Sequence, residues 1–283
     1  MARTVNASHQ VRLGWEEASE EAMANSQVLF AVRDHVAHIT LNRPQAGNAL
    51  DLEMAKELAA VSLECEGNRD VRAVLLRGAG NTFSAGGDVK AFYAQKDLSH
   101  YLREMTPHIH LAISRFARLD APVIAAVEGA SAGFGFSLAI SCDLVLAAEP
   151  AFFVMAYTRI GMAPDGGSTY FLPRLVGMKR ALELTLTNRR LSAREALEWG
   201  LVTEVVSPER LAARAEELAG SLAQGPTATF GSAKRLLHSG WSESLETQME
   251  LESRAIATAG GTADGREGIA AFVEKRKAAF QGK

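Results

Sequence analysis

Three stretches of the chain hold residue types that could do chemistry together. RIGMAPDGGSTYFLPRLVG, residues 159–177, places one carboxylate, Asp165, among Gly, Pro, Ala and Met. Pro-Asp-Gly-Gly is ordinary turn chemistry. A lone acid in apolar surroundings has a second use, because burial raises its pKa toward the value that suits proton transfer near neutrality. The apolar neighbours Met155, Ile160 and Met162 give that expectation for Asp165. The second stretch, VIAAVEGASAGFGFSLAISCDLVLAAE at 123–149, is nearly uncharged. A helix beginning near Gly133 would present unpaired backbone N–H groups. The third, SAGGD at 84–88, is a glycine-rich loop that can bring another N–H close to a ligand. Two such donors can hold one oxygen that turns negative during reaction. With one carboxylate added, the set describes proton transfer next to a carbonyl.

Rival motifs carry less. GASAG, 129–133, matches G-x-S-x-G between a strand and a helix, the context of a hydrolase nucleophile elbow. That reading needs an acid and then a histidine after Ser131, and the one histidine that follows is His238, on a basic helix. Small residues here also let strand, turn and helix pack closely. GFGFSL lacks the third glycine of a dinucleotide fingerprint, and PDGGST lacks the lysine of a phosphate loop. Three histidines, His100, His108 and His110, cluster on one helical segment, where a solvated face serves as well as a site.

The elements that must position these groups follow from patterning. QVLFAVRDHVAHITLNRP alternates as a β-hairpin turning at Arg33-Asp34, and LDLEMAKELAAVSLECE reads as a helix capped by Asp51. VRAVLLRG, PVIAAVEG and DLVLAAE read as buried strands, and GFGFSLAISC as a buried helix. Residues 97–118 read as helical with a break or kink at Pro107. ALELTLTNRRLSAREALEWGLVTEVV gives helix, loop, helix and strand, with Arg194, Glu195 and Glu198 on a wet face. From 207 onward the chain reads as helices broken at Gly225-Pro226, Gly240 and Gly260-Gly261. Strand alternating with helix, then helices alone, predicts an α/β core with a helical C-terminal layer. The organisation expected is an extension over 1–26 holding an acidic WEEASEEAMA segment, a core over 27–225 and a helical region over 226–283.

At 283 residues, with 47% hydrophobic and 22% charged residues, the composition is ordinary globular. A formal net charge of −3 points away from nucleic acid or an anionic membrane as a partner. Glu128 and Asp143 interrupt the long apolar run, which therefore does not read as a membrane span. The two cysteines, Cys65 and Cys142, lie too far apart to suggest a metal spacing and read as buried thiols of a reducing cytoplasm. No metal site or redox cofactor is expected.

The chain resembles the crotonase (enoyl-CoA hydratase/isomerase) superfamily. LNRPQAGNAL (41–50), FSAGGDV (83–89), PVIAAVEGASAGFGFSLAISCDL (122–144), RIGMAPDGGSTYFLPRLVG (159–177), LSAREALEWGLVTEVV (191–206) and GIAAFVEKRKAAFQGK at the end stand in family order. The resemblance implies an α/β fold of stacked ββα turns with a C-terminal helical trimerisation layer. It also implies a homotrimer or dimer of trimers, and an acyl-CoA thioester as substrate with coenzyme A as part of it. The family's two oxyanion N–H groups match Gly87 and Phe134. The two glutamates of family hydratases fall at Ser137 and Tyr157, neither a carboxylate. Asp165 fills a different position, as in the branch of 1,2-epoxyphenylacetyl-CoA isomerase, where an aspartate there is the proposed acid/base. The resemblance therefore implies isomerisation with Asp165 as acid/base, and Tyr157 either bonding it or shaping the acyl pocket. Enoyl-CoA hydration, a non-catalytic CoA-thioester scaffold, and the 4-chlorobenzoyl-CoA dehalogenase branch stay as alternatives. The last has an aspartate at the same position and a histidine that falls near His110. For the thioester's carrier, the resemblance implies backbone around Gln45 and Ala46 and along Ala85, Gly86 and Asp88, Gly133 at the helix start, and Lys275 near the phosphates.

Overall fold

The computed structural model describes residues 26–283. The expected N-terminal extension and its acidic segment fall, apart from Ser26, outside the described residues. Strands β1 (Val28–Arg33) and β2 (Val36–Leu41) form the expected hairpin, antiparallel with Val28 opposite Leu41. Its turn lies one residue later than the sequence suggests, at Asp34-His35, both left-handed with φ of 50° and 64°. That is the twist-matched two-residue hairpin turn.

From β2 onward the main sheet is parallel, in the order β1-β2-β3-β4-β6-β9. It contains β3 (Ala73–Gly78), β4 (Val123–Val127), β6 (Leu144–Ala148) and β9 (Glu204–Val206). A second sheet holds the short strands β5 (Ala130–Ala132), β7 (Phe152–Val154) and β8 (Leu191–Ser192). Twice, at β4-β5 and at β6-β7, the chain gives one strand to the large sheet and one to the small before its next helix. This is the stacked spiral expected. β5 was not legible in the sequence, because three small residues carry no period.

Strand alternation divides the core. Ile39, Val74, Leu76, Val123, Ala125, Val127 and Val145 face one apolar cluster with the helices α1 (Leu52–Gly67) and α3 (Leu98–Arg118). Ala73, Leu75, Ile124, Ala126 and Leu146 face the other, covered by Leu211, Ala215, Ala219 and Ala223 of α8 (Pro208–Ala223). Both faces are buried, so these strands read as unbroken apolar runs.

Asp51 caps α1 as expected, accepting the Met54 N–H at 2.9 Å. A short helix α2 (Val89–Tyr93) precedes α3. α3 runs for 21 residues through Pro107 without the break that was one of the two outcomes expected there. Buried Met105, Ile109, Ala112, Ile113 and Phe116 anchor it on both sides of the proline, which itself faces solvent. That packing outweighs the lost backbone bond.

The helix α4 (Phe134–Ser141) is buried along its whole length. α5 (Ser168–Val176), α6 (Met178–Thr187) and α7 (Ala193–Glu198) follow, the last with Arg194 and Glu198 exposed as expected. The C-terminal helices are α9 (Thr227–Ser239), α10 (Leu245–Gly261) and α11 (Ala263–Glu274), broken close to the expected glycines. Lys234 ties α9 to the core, its Nζ 2.6 Å from Asp143 and 3.2 Å from the carbonyls of Phe116 and Ala121. Among the described residues no helix is long and apolar enough to cross a membrane.

Candidate active site

Two backbone N–H groups meet at one cavity because two loops are held against each other. Buried Asn48, left-handed at φ 54°, donates to the carbonyls of Ala79 (2.9 Å) and Thr82 (2.6 Å). Buried Ser84 donates to the Asn48 carbonyl at 2.9 Å and accepts the Gly86 N–H at 3.2 Å. The Ala132 N–H donates to the Ser84 carbonyl, which joins this loop to β5. Gly86 needs its φ of +101°, and a Cβ there would sit 2.8 Å from the Ala132 carbonyl oxygen. Gly133, at φ 51° and ψ −119°, turns the chain from β5 into α4 with its backbone against Gly86. Among the described residues neither the Gly87 N–H nor the Phe134 N–H donates to any protein acceptor.

Both residues line a cavity of about 490 Å³ in which Asp165 is the one carboxylate among the described residues. Asp165 leaves the turn before α5, and Gly166 beside it is left-handed and packs on Ser137 and Phe134. The Asp165 carboxylate accepts the Tyr157 hydroxyl at 2.7 Å, and Tyr157 and Ser137 hydroxyls lie 2.9 Å apart. Tyr157 is aimed inward by Ala156, a non-glycine residue at φ 56°. Burial pushes the Asp165 pKa up, and it outweighs the Tyr157 bond and the charge of His110, which both pull it down. Burial and the Asp165 charge push the Tyr157 phenol well above its ordinary value, so it stays protonated as a donor. The raised pKa anticipated for Asp165 is therefore present. Ile160 and Met162 line the cavity with it, while Met155 is buried behind the wall.

A sequence profile of the enoyl-CoA hydratase/isomerase family matches residues 32–283. The chain belongs to the enoyl-CoA hydratase/isomerase family. It is 39% identical over 264 residues to 1,2-epoxyphenylacetyl-CoA isomerase of Escherichia coli K12, covering 90% of this chain and 98% of that one. It is 35% identical over 244 residues to 4-chlorobenzoyl coenzyme A dehalogenase-2 of Arthrobacter, covering 86% and 88%. An enoyl-CoA hydratase structure from Polaromonas superposes with a TM-score of 0.86 at 33% identity, covering 90% and 99%. The crotonase fold expected from the sequence is thus shown.

Within this enoyl-CoA hydratase/isomerase fold, Ala85, Gly86, Gly87, Gly133, Phe134, Tyr157 and Asp165 all line the one cavity. Gln45 and Ala46 stand on a 3₁₀ turn beside it, where the Gly47 carbonyl accepts the Ala85 N–H at 2.8 Å. Asp88 is elsewhere engaged, and does not line the cavity. Its carboxylate caps α2 through the N–H groups of Lys90 and Ala91 and pairs with Arg43 at 2.9 Å. Burial opposes its charge, but the Ala91 N–H, the Arg43 guanidinium and the Lys90 N–H together hold its pKa below the usual carboxylate value. His110 lines a neighbouring cavity with Phe171 and His238, close enough for its charge to reach Asp165. Lys275 ends α11 in a left-handed conformation, exposed, and lines none of the cavities described.

The serine-hydrolase reading fails on geometry. Ser131 lies within β5, fully buried, and its hydroxyl has no partner among the described residues, whereas His238 faces the second cavity. Cys65 and Cys142 are bystanders. Burial raises both thiols, Cys65 to about 12, so neither is a nucleophile at neutral pH. Sequence reasoning missed the polar scaffold of Asn48 and Ser84. Both lie inside the motifs LNRPQAGNAL and FSAGGDV, but only the fold shows which carbonyls they serve.

Proposed function

We propose that the protein is an acyl-CoA isomerase working through a thioester enolate. The observation that carries this reading is Asp165, the single carboxylate among the described residues in the cavity that holds the two free N–H groups. The thioester oxygen accepts hydrogen bonds from Gly87 and Phe134. One donor of this kind contributes about 3–4 kcal/mol to the transition state. Asp165 takes a proton from the carbon chain beside the carbonyl or its conjugated extension. The electron pair of that C–H bond moves into the enolate. Asp165 then returns the proton at another carbon, so the double bond shifts, and one base serves both steps.

Its raised pKa suits both proton uptake and return. Ser137 and Tyr157 support the reading from the other side, because a hydroxyl at each position leaves no second carboxylate to activate water. The reading needs no resident cofactor, since coenzyme A arrives with the substrate. In this reading backbone at Ala85 and Gly86, which line the cavity, runs along the pantetheine, with Gln45 and Ala46 beside it. The exposed apolar residues Leu237, Leu245, Met249, Ile256, Ile269 and Phe272 of α9–α11 support a C-terminal trimerisation layer.

The test is turnover. The purified protein is incubated separately with 3-enoyl-CoA, 2-enoyl-CoA, epoxyphenylacetyl-CoA and 4-chlorobenzoyl-CoA. Formation of 2-enoyl-CoA or a rearranged epoxide, lost in Asp165→Asn, is the expected result. 3-Hydroxyacyl-CoA as the main product would make the enzyme a hydratase. Chloride release would make it a dehalogenase, and binding with no product would make it a scaffold.

A further inference from the structure

The hydroxyls of Tyr157 and Ser137 do more than replace two glutamates. Each hydroxyl has one proton to donate. In the geometry observed, Tyr157 gives its proton to Asp165 at 2.7 Å, so the 2.9 Å contact must be Ser137 donating to Tyr157. Yet Ser137 Oγ also stands 3.3 Å from the Gly133 carbonyl oxygen. That carbonyl belongs to the same peptide group as the Phe134 N–H, the second oxyanion donor in the reading above. We propose that Tyr157 and Ser137 form a reversible hydrogen-bond relay that couples the proton of Asp165 to the Gly133–Phe134 peptide group. The inference rests on Phe134 N–H and Asp165 acting as proposed.

The relay has two polarities. With Asp165 ionised, both hydroxyls point toward the carboxylate, because a charge-assisted bond is roughly twice as strong as a neutral one. The Gly133 carbonyl then keeps only its helical bond from the Ser137 N–H at 3.0 Å. When Asp165 takes the substrate proton on its outer oxygen, the oxygen facing Tyr157 becomes neutral and loses that advantage. Tyr157 can then turn to Ser137, and Ser137 to the Gly133 carbonyl. No proton leaves the relay; two hydroxyls rotate. A donor on the Gly133 carbonyl polarises its peptide group, and linked hydrogen bonds strengthen one another by about 10–30% each. The Phe134 N–H thus becomes a better donor at the step when negative charge reaches the thioester oxygen. The inner end of the relay is sealed from water, since Ser137 is fully buried and a Cβ on Gly166 would sit only 3.0 Å from the Ser137 Cβ, while Tyr157 at the outer end lines the cavity.

Of the charged or titratable groups near Asp165, Tyr157 bonds it, His110 from α3 acts on it by charge, and Arg159 lines the same cavity. α4 brings none. The test is the infrared carbonyl stretch of bound, carbonyl-labelled cinnamoyl-CoA followed with pH. In the wild type the stretch is lower than in solution and drops further as Asp165 protonates. The relay predicts that Ser137→Ala and Tyr157→Phe each lose at least half of that pH step while keeping most of the shift from solution. The direct field of the Asp165 charge supplies what remains. The step vanishes in Asp165→Asn and persists in His110→Gln.

A step larger than half the wild-type size in both relay variants overturns the relay, as does a step that disappears in His110→Gln. A probe unshifted from solution in every protein overturns the oxyanion reading itself, and the relay with it. Tyr157→Phe keeps the ring in its packing, so it decides the question should Ser137→Ala fold poorly.

Discussion

Two aspartates sit in glycine-rich loops that both reach one cavity, and their fates diverge. Asp88 ends SAGGD and Asp165 begins DGG. Asp88 is met by two backbone N–H groups and by Arg43, and its pKa falls. Asp165 is met by one phenol, and its pKa rises with burial. Donor count against desolvation decides which acid is a strut and which is free to move a proton. The largest effect expected from this contrast is on turnover. Asp165→Asn should lower isomerase kcat by about 10²–10⁴-fold, the usual worth of a positioned acid or base. Binding of a substrate analogue should survive, as measured by titration calorimetry. Asp88→Asn should lower kcat per folded enzyme much less, and an equal loss would erase the distinction drawn between the two.

Asp143 sharpens the comparison, because it is desolvated like Asp165 yet carries a cation like Asp88. Burial raises its pKa while Lys234, at 2.6 Å, and the Val123 N–H pull it down. Removing one partner of such a buried pair strands the other's charge. Lys234→Ala should therefore cost about 3–5 kcal/mol in chemical denaturation. A loss no larger than that of an exposed pair such as Arg254–Glu250 would show the Lys234 pair to be hydrated.

The same contrast explains what the sequence displayed. Strands β3, β4 and β6 were legible because burial on both faces leaves apolar runs, and β1 and β2 because their residues alternate about a turn. The caps at Asp51 and the breaks among the C-terminal helices were legible because they are local chemistry. Asp165 stood out as a lone acid among apolar residues. Asp88 entered only through the resemblance, as backbone along the thioester's carrier, and its side-chain role was hidden because its partner Arg43 lies 45 residues away with no local pattern to announce the pairing. The passage of α3 through Pro107 depends on long-range packing, which single-residue propensity does not carry. Ser137 was noticed only as a missing carboxylate. Its role depends on Tyr157, 20 residues on, being turned toward it by the left-handed Ala156.

Acid separates the two aspartates by sign. A lowered folded-state pKa means that Asp88 stabilises the fold above the ordinary carboxylate value of about 3.9, and that this support is lost as pH falls through the lowered value. A raised one means that ionised Asp165 costs stability at neutral pH, and that the cost disappears as pH falls through the raised value. Thermal melts across pH should find Asp88→Ala less stable than wild type at neutral pH, by about 1–3 kcal/mol for the lost cap and pair. Asp165→Asn should be at least as stable as wild type there. Both differences should shrink toward acid, from opposite sides. Curves that stay parallel would mean that neither carboxylate is perturbed by folding.

The smallest expected effect is the most specific to the Asp165 wall. As a base, Asp165 must be ionised, so kcat/KM should rise with pH through an acid limb above the ordinary aspartate value. The Tyr157 hydroxyl is the strongest influence pulling that value down against burial. Tyr157→Phe removes this donor, so the acid limb should move to higher pH while the plateau falls. The direction discriminates between two uses of the phenol. Were Tyr157 only shaping the acyl pocket, KM would change and the limb would stay where it is. A limb that moved to lower pH would mean that water entering the space of the deleted hydroxyl stabilises ionised Asp165 more than the phenol did.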